Sequence, residues 1–92
     1  MTQLLLKKTC SACPEQYDVF LGEEQIGYFQ LKHGLFNAKY PNSMGSSVYS
    51  CYTRVDRSLK EEERDKILTE ACKAILVKHF RQEHNPLYRI EE

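Results

Sequence analysis

The sequence predicts an α+β domain in which a three- to four-stranded antiparallel sheet is packed by one long C-terminal amphipathic helix, in ββββα order. Three observations lead there. Short runs rich in aromatic and β-branched residues fill positions 17 to 54 and are separated by turn residues. His33-Gly34 stands between two alternating runs, the signature of a two-residue hairpin. From Ser58 to His84, apolar residues recur at spacings of three and four. Ninety-two residues leave room for one modest core and one domain. The expected organisation is a lead-in over 1–14, which the apolar run there also allows to be a short edge strand, the sheet over 17–54, the helix over 58–84 and a tail over 85–92.

Tyr17-Asp18-Val19-Phe20-Leu21 opens the sheet, Gly22-Glu23-Glu24 reads as a turn, and Gln25 to Lys32 returns as the second strand. A turn at His33-Gly34 then fixes a register. Lys32 faces Leu35, Leu31 faces Phe36, Gln30 faces Asn37, Phe29 faces Ala38, Tyr28 faces Lys39 and Gly27 faces Tyr40. Leu31, Phe36, Phe29, Ala38 and Tyr40 fall on one side, suited to a core; Tyr28, Gln30, Lys32, Asn37 and Lys39 fall on the other. Leu35 alone is out of place. Pro41 to Ser47 is a loop, and Val48 to Thr53 reads as another strand, with Val48 and Tyr52 competing with Tyr49 and Cys51 for the inward face.

Ser58-Leu59-Lys60-Glu61 matches a capping box and starts the helix. Its apolar stripe is Ile67, Leu68, Ala71, Cys72, Ile75, Leu76 and Phe80, with Lys66, Glu70, Lys73 and Arg81 outside it. Glu61, Glu62 and Glu63 at the start and Lys78 and Arg81 at the end complement the helix dipole. Asn85-Pro86 is a stop signal.

Hydrophobic residues at 41% and charged residues at 28% describe a folding chain rather than a disordered one. Thirteen basic and thirteen acidic residues cancel, so nothing in the overall balance attracts a polyanion. Leu4-Leu5-Leu6 is followed at once by Lys7-Lys8, too short a run to span a membrane or form a signal-peptide core, and cytoplasm is the expected compartment. Four cysteines make no dense disulfide framework, and reduced thiols are expected.

Cys10-x-x-Cys13 has the spacing of half a zinc site or of a redox pair. Zinc wants four ligands and there is no second such pair; a redox pair wants a parallel βαβ junction, which the pattern lacks. Both cysteines are therefore weak metal candidates, and no cofactor is expected. Cys51 and Cys72 read as packing residues, His79 as a satisfied, partly buried imidazole, and His33 as a turn residue at positive φ. No nucleophile, base and orienting acid assemble, nor is there a phosphate-binding glycine loop.

Tyr17-Asp18-Val19-Phe20, the run from Gly27 to Phe36, and Tyr40-Pro41 together resemble a group of small uncharacterised phage and prophage proteins, over about residues 13 to 80. The resemblance implies a phage or mobile-element origin and a small accessory role, such as inhibiting a host factor. The strand-strand-strand-helix order also resembles the double-stranded-RNA-binding fold and the sheet-type DNA-binding domains of some integrases. The N-terminal helix of the former is missing here, and Glu61-Glu62-Glu63 stands where it has a basic helix start.

The expected function is a non-enzymatic binding module that engages a protein partner through the polar sheet face of Tyr28, Gln30, Lys32, Asn37 and Lys39, or through a free sheet edge, which also allows a homodimer. The alternatives are nucleic-acid binding through that face, led by Tyr28, Lys32 and Lys39, and zinc binding through the Cys-x-x-Cys.

Overall fold

The computed structural model describes residues 2–9, 15–53 and 61–92. Their elements run β1 (Thr2–Lys8), β2 (Gln16–Leu21), β3 (Glu24–Lys32), β4 (Leu35–Tyr40), β5 (Ser46–Tyr52), α1 (Glu61–Phe80) and β6 (Pro86–Glu91). The α+β class holds, but the sheet has six strands, in the order β5-β4-β3-β2-β1-β6. It is also mixed. β1 to β5 pair antiparallel, whereas β6 lies parallel to β1.

Two expected boundaries are thereby corrected. The stretch expected as a lead-in or a short edge strand forms β1, an inner strand between β2 and β6, because Leu4 and Leu6 drop fully into the core while Lys7 turns out to water. The stretch expected as a tail contains β6, which points Tyr88 and Ile90 inward and leaves Leu87 and Arg89 outside, so the helix is followed by a strand. The helix is also shorter than expected. It ends at Phe80, and Arg81 takes a left-handed conformation with φ of 60° while its N–H still bonds Val77 O at 2.7 Å, the geometry of a chain leaving a helix. The capping box at Ser58 lies outside the described residues.

The second hairpin follows the expected register in five pairs, from Lys32↔Leu35 to Tyr28↔Lys39; Gly27 and Tyr40 are not ladder partners. His33 and Gly34 both have positive φ, 52° and 76°, as the mirror-image turn matching strand twist requires. Phe29, Leu31, Phe36 and Ala38 consequently face the helix and are buried, and Tyr40 on the same side is half-buried. From α1 they meet Ile67, Leu68, Ala71, Cys72, Ile75 and Leu76. Each such large apolar side chain contributes about 1.5–3 kcal/mol of transfer free energy. Phe80 departs from the expected stripe: at the helix end it is 39% exposed, meeting the ring of His79 edge-on and that of His84 at a tilt.

α1 lies against β3, β4, β5 and β6, so both edge strands reach it and the sheet curls around it. Close packing at the centre needs Gly27, whose absent Cβ would stand 2.8 Å from Ile75 Cδ1. Among the described residues, one charged group enters the interior. Glu15 is 3% exposed, accepts from Tyr17 Oη at 2.5 Å, and takes Nε and Nη2 of Arg64 at 3.2 and 3.3 Å, which ties the entry of β2 to the first turns of α1. A buried carboxylate demands such partners.

Candidate functional site

Among the described residues, one helix lies against one face of the six-stranded sheet. The other carries the alternate residues of every strand. Across β6, β1, β2, β3, β4 and β5 the register aligns Glu91, Lys7, Asp18, Tyr28, Lys39 and Ser47 in one row. The next row holds Gln16, Gln30, Asn37 and Ser50, and a third holds Lys32, Leu35 and Tyr52. All five sequence-predicted site residues therefore stand on one open face, as the turn at His33-Gly34 dictates.

Their chemistry divides them. Tyr28 Oη donates to Gln16 Oε1, Asn37 Oδ1 accepts from Ser47 Oγ, and Lys39 Nζ reaches Ser43 O at 3.5 Å. These three are held by their neighbours. Tyr28 is half-buried, and burial, followed by the charge of Asp18, raises its phenol above the ordinary range, so the ring stays neutral. Gln30 and Lys32 have no hydrogen bond to any side chain or loop carbonyl among the described residues, and Lys32 projects into water.

Gln30, Lys32 and Asn37 line a shallow hollow on this face together with His33, Leu35 and Tyr52. Tyr52 is 86% exposed, a large ring with almost no cover, and Leu35 opposite it in the ladder is half-buried. The hollow thus offers an amide, a cation, an imidazole, an aliphatic floor and an aromatic wall. Sequence reasoning placed Leu35 as a misfit and left Tyr52 unassigned between two faces. The register that sends Lys32 outward sends Leu35 with it, so the first was legible; Tyr52 required the β4–β5 register. That ladder slips one residue between Ala38 and Lys39, which turns Tyr49 and Cys51 toward the core and leaves Val48 as the extra residue, packed beside the helix.

The remaining sequence candidates are spread apart. Cys72 is fully buried, and burial pushes its thiol up to about 12, so it packs as an apolar residue. Cys51 is a half-buried free thiol beside Phe36 in the ladder. His79 Nδ1 is hydrogen-bonded to Tyr40 Oη at 2.8 Å, and His84 Nδ1 to Thr2 Oγ1 at 3.1 Å, so both imidazoles fasten the end of α1 to the sheet. Cys10 and Cys13 lie outside the described residues. Among the described residues no three His, Cys, Asp or Glu side chains gather as a metal site, and no helix is long and apolar enough to cross a membrane. No family model, no curated protein and no solved structure matches the chain.

Proposed function

We propose that this chain is a small non-enzymatic binding module, of the phage or mobile-element accessory type, that engages a protein partner through its open sheet face. The observation that carries the reading is the hollow between β3, β4 and β5. There Tyr52 and Leu35 supply apolar contact, while Gln30 and Lys32 offer unengaged polar groups within one patch. Recognition surfaces combine these parts, an aromatic anchor with a polar rim, because the ring gains most from desolvation and the rim sets orientation.

A protein fits this face better than a nucleic acid does. The row beside the hollow alternates Glu91, Lys7, Asp18, Tyr28 and Lys39, so each lysine there has a carboxylate or a phenol as its cross-strand neighbour. A phosphate backbone needs several uncompensated cations, and counterion release from two or three lysines is small. An acidic or amide-bearing segment of a protein needs only Lys32 and Gln30.

Capture on immobilised protein tests this reading. Lys32→Glu combined with Tyr52→Ala alters exposed side chains only and leaves the fold intact by circular dichroism. A protein recovered by the wild type and lost from the double variant is the expected result. Equal recovery by both contradicts the reading. Fluorescence anisotropy with single-stranded and duplex oligonucleotides at low salt addresses the alternative; tight binding that collapses on adding salt would replace the protein reading by nucleic-acid binding.

A further inference from the structure

The two edges of the sheet are protected unequally. β6 begins with Pro86 and carries Arg89 and Glu91, the residue types that discourage further pairing. β5 reads Ser-Ser-Val-Tyr-Ser-Cys-Tyr, seven residues with no charge and no proline. The backbone parity of β5 follows from one bond: Thr53 N–H donates to Gly34 O at 2.8 Å. Antiparallel ladders alternate, so Thr53, Cys51 and Tyr49 turn their amides and carbonyls toward β4 while Ser50 and Tyr52 turn theirs outward. Ser50 and Tyr52 are both exposed. Alongside, Val48 and Val77, the latter 43% exposed, line a groove between β5 and α1 with Lys73, Ala74 and Lys78.

We infer that β5 pairs antiparallel with β5 of a second copy of this chain, joining two six-stranded sheets into one. The edge is complementary to itself. With the dyad at Ser50, its outward N–H and C=O meet those of the second copy's Ser50, and reciprocal bonds form without any change in β4 pairing. On the helix side Tyr49 comes opposite the second copy's Cys51, twice, and these half-buried side chains gain cover. An uncharged strand meets its own copy without like-charge repulsion, which a charged edge could not do. The facing stretch is the five residues Val48 to Tyr52, about 17 Å long, and so short a junction makes a weak, concentration-dependent dimer. This inference does not depend on the open-face hollow, and its test needs no other protein.

Sedimentation velocity on purified protein with reductant, from about 1 to 500 µM, reads the result. The wild type moves from 10.8 kDa toward twice that mass as concentration rises, and the shift persists in high salt because β5 itself carries no charge. Ser50→Lys places two cations face to face at the dyad and holds the protein monomeric over that range. Ser50→Pro removes only the outward donor and weakens the dimer at least tenfold. A wild type that stays monomeric at 500 µM overturns the inference, as does Ser50→Lys dimerising as tightly as the wild type.

Discussion

Replacing Gly27 by alanine probes the contact on which the helix-to-sheet spacing rests. The added Cβ would lie 2.8 Å from Ile75 Cδ1 and 3.3 Å from both Ile75 Cγ1 and Val19 Cβ. Ordinary contact starts near 3.4 Å, so the methyl is short of room by about 0.6 Å. Ile75 is fully buried and cannot swing into solvent. Overpacking of this kind costs about 1–3 kcal/mol. Alanine recovers about 0.5–1 kcal/mol of the backbone entropy that glycine loses on folding, which leaves a net loss centred near about 1 kcal/mol and reaching about 2.5 kcal/mol. For a domain of this size the central value lowers Tm by roughly 4–8 °C. Ile75→Val deletes the clashing Cδ1 and costs about 0.5–1.5 kcal/mol alone. Combined, the two changes should cost at least about 0.5 kcal/mol less than their sum, because the valine makes room for the methyl. Thermal and urea melts of the four proteins measure the cycle. Gly27→Ala melting at or above the wild-type temperature, or additivity within about 0.3 kcal/mol, would refute the packing described here.

Three further outcomes follow from other parts of the molecule. Arg81→Gly relieves a side chain held at φ of 60° and should stabilise the protein by about 1 kcal/mol, read as a Tm raised by several degrees; a lower Tm contradicts the helix end as described. Burial raises the Cys72 thiol and the Tyr49 phenol to about 12, and raises Tyr17 and Tyr88 as well, so the fold favours their neutral forms. Below about pH 7.5 neither state is ionised at these groups; above it the unfolded chain loses protons first, at the thiol and then at the phenols, so stability falls steadily as pH climbs toward 12. Melts at pH 8, 9, 10 and 11 should show that decline, and a flat series would contradict it. Protein purified without chelator should hold less than half an equivalent of zinc by elemental analysis; a full equivalent would replace the binding-module reading with a metal centre at Cys10 and Cys13.

Legibility in the sequence tracked how far each residue's structure depends on its neighbours in the chain. The β3–β4 hairpin was readable in detail because His33-Gly34 fixes the register locally and alternation then assigns every face. The helix stripe from Ile67 to Leu76 was readable for the same reason, a period written in one segment. β1 and β6 were hidden. Leu4-Leu5-Leu6 shows no alternation because Leu5, on the open face, is as apolar as its buried neighbours. Leu87-Tyr88-Arg89-Ile90 is short, follows a helix stop, and becomes a strand only by lying beside β1, more than eighty residues away in sequence. Of the candidate site, the five polar residues followed from parity, but the hollow needed Tyr52, whose facing depends on a bulge that no local signal announces. Phe80 fits the helical period yet lies outside the core, because the helix ends there.

Amide hydrogen exchange on the wild type, with and without a partner captured as described above, tests the central claim most directly. Slowed exchange should concentrate in the β3–β4 turn, residues 30–37, and at the end of β5, residues 50–53, with α1 unchanged. Protection confined to residues 66–80 of the helix, with the hairpin exchanging as fast as in the free protein, would place the working surface on the opposite side of the molecule.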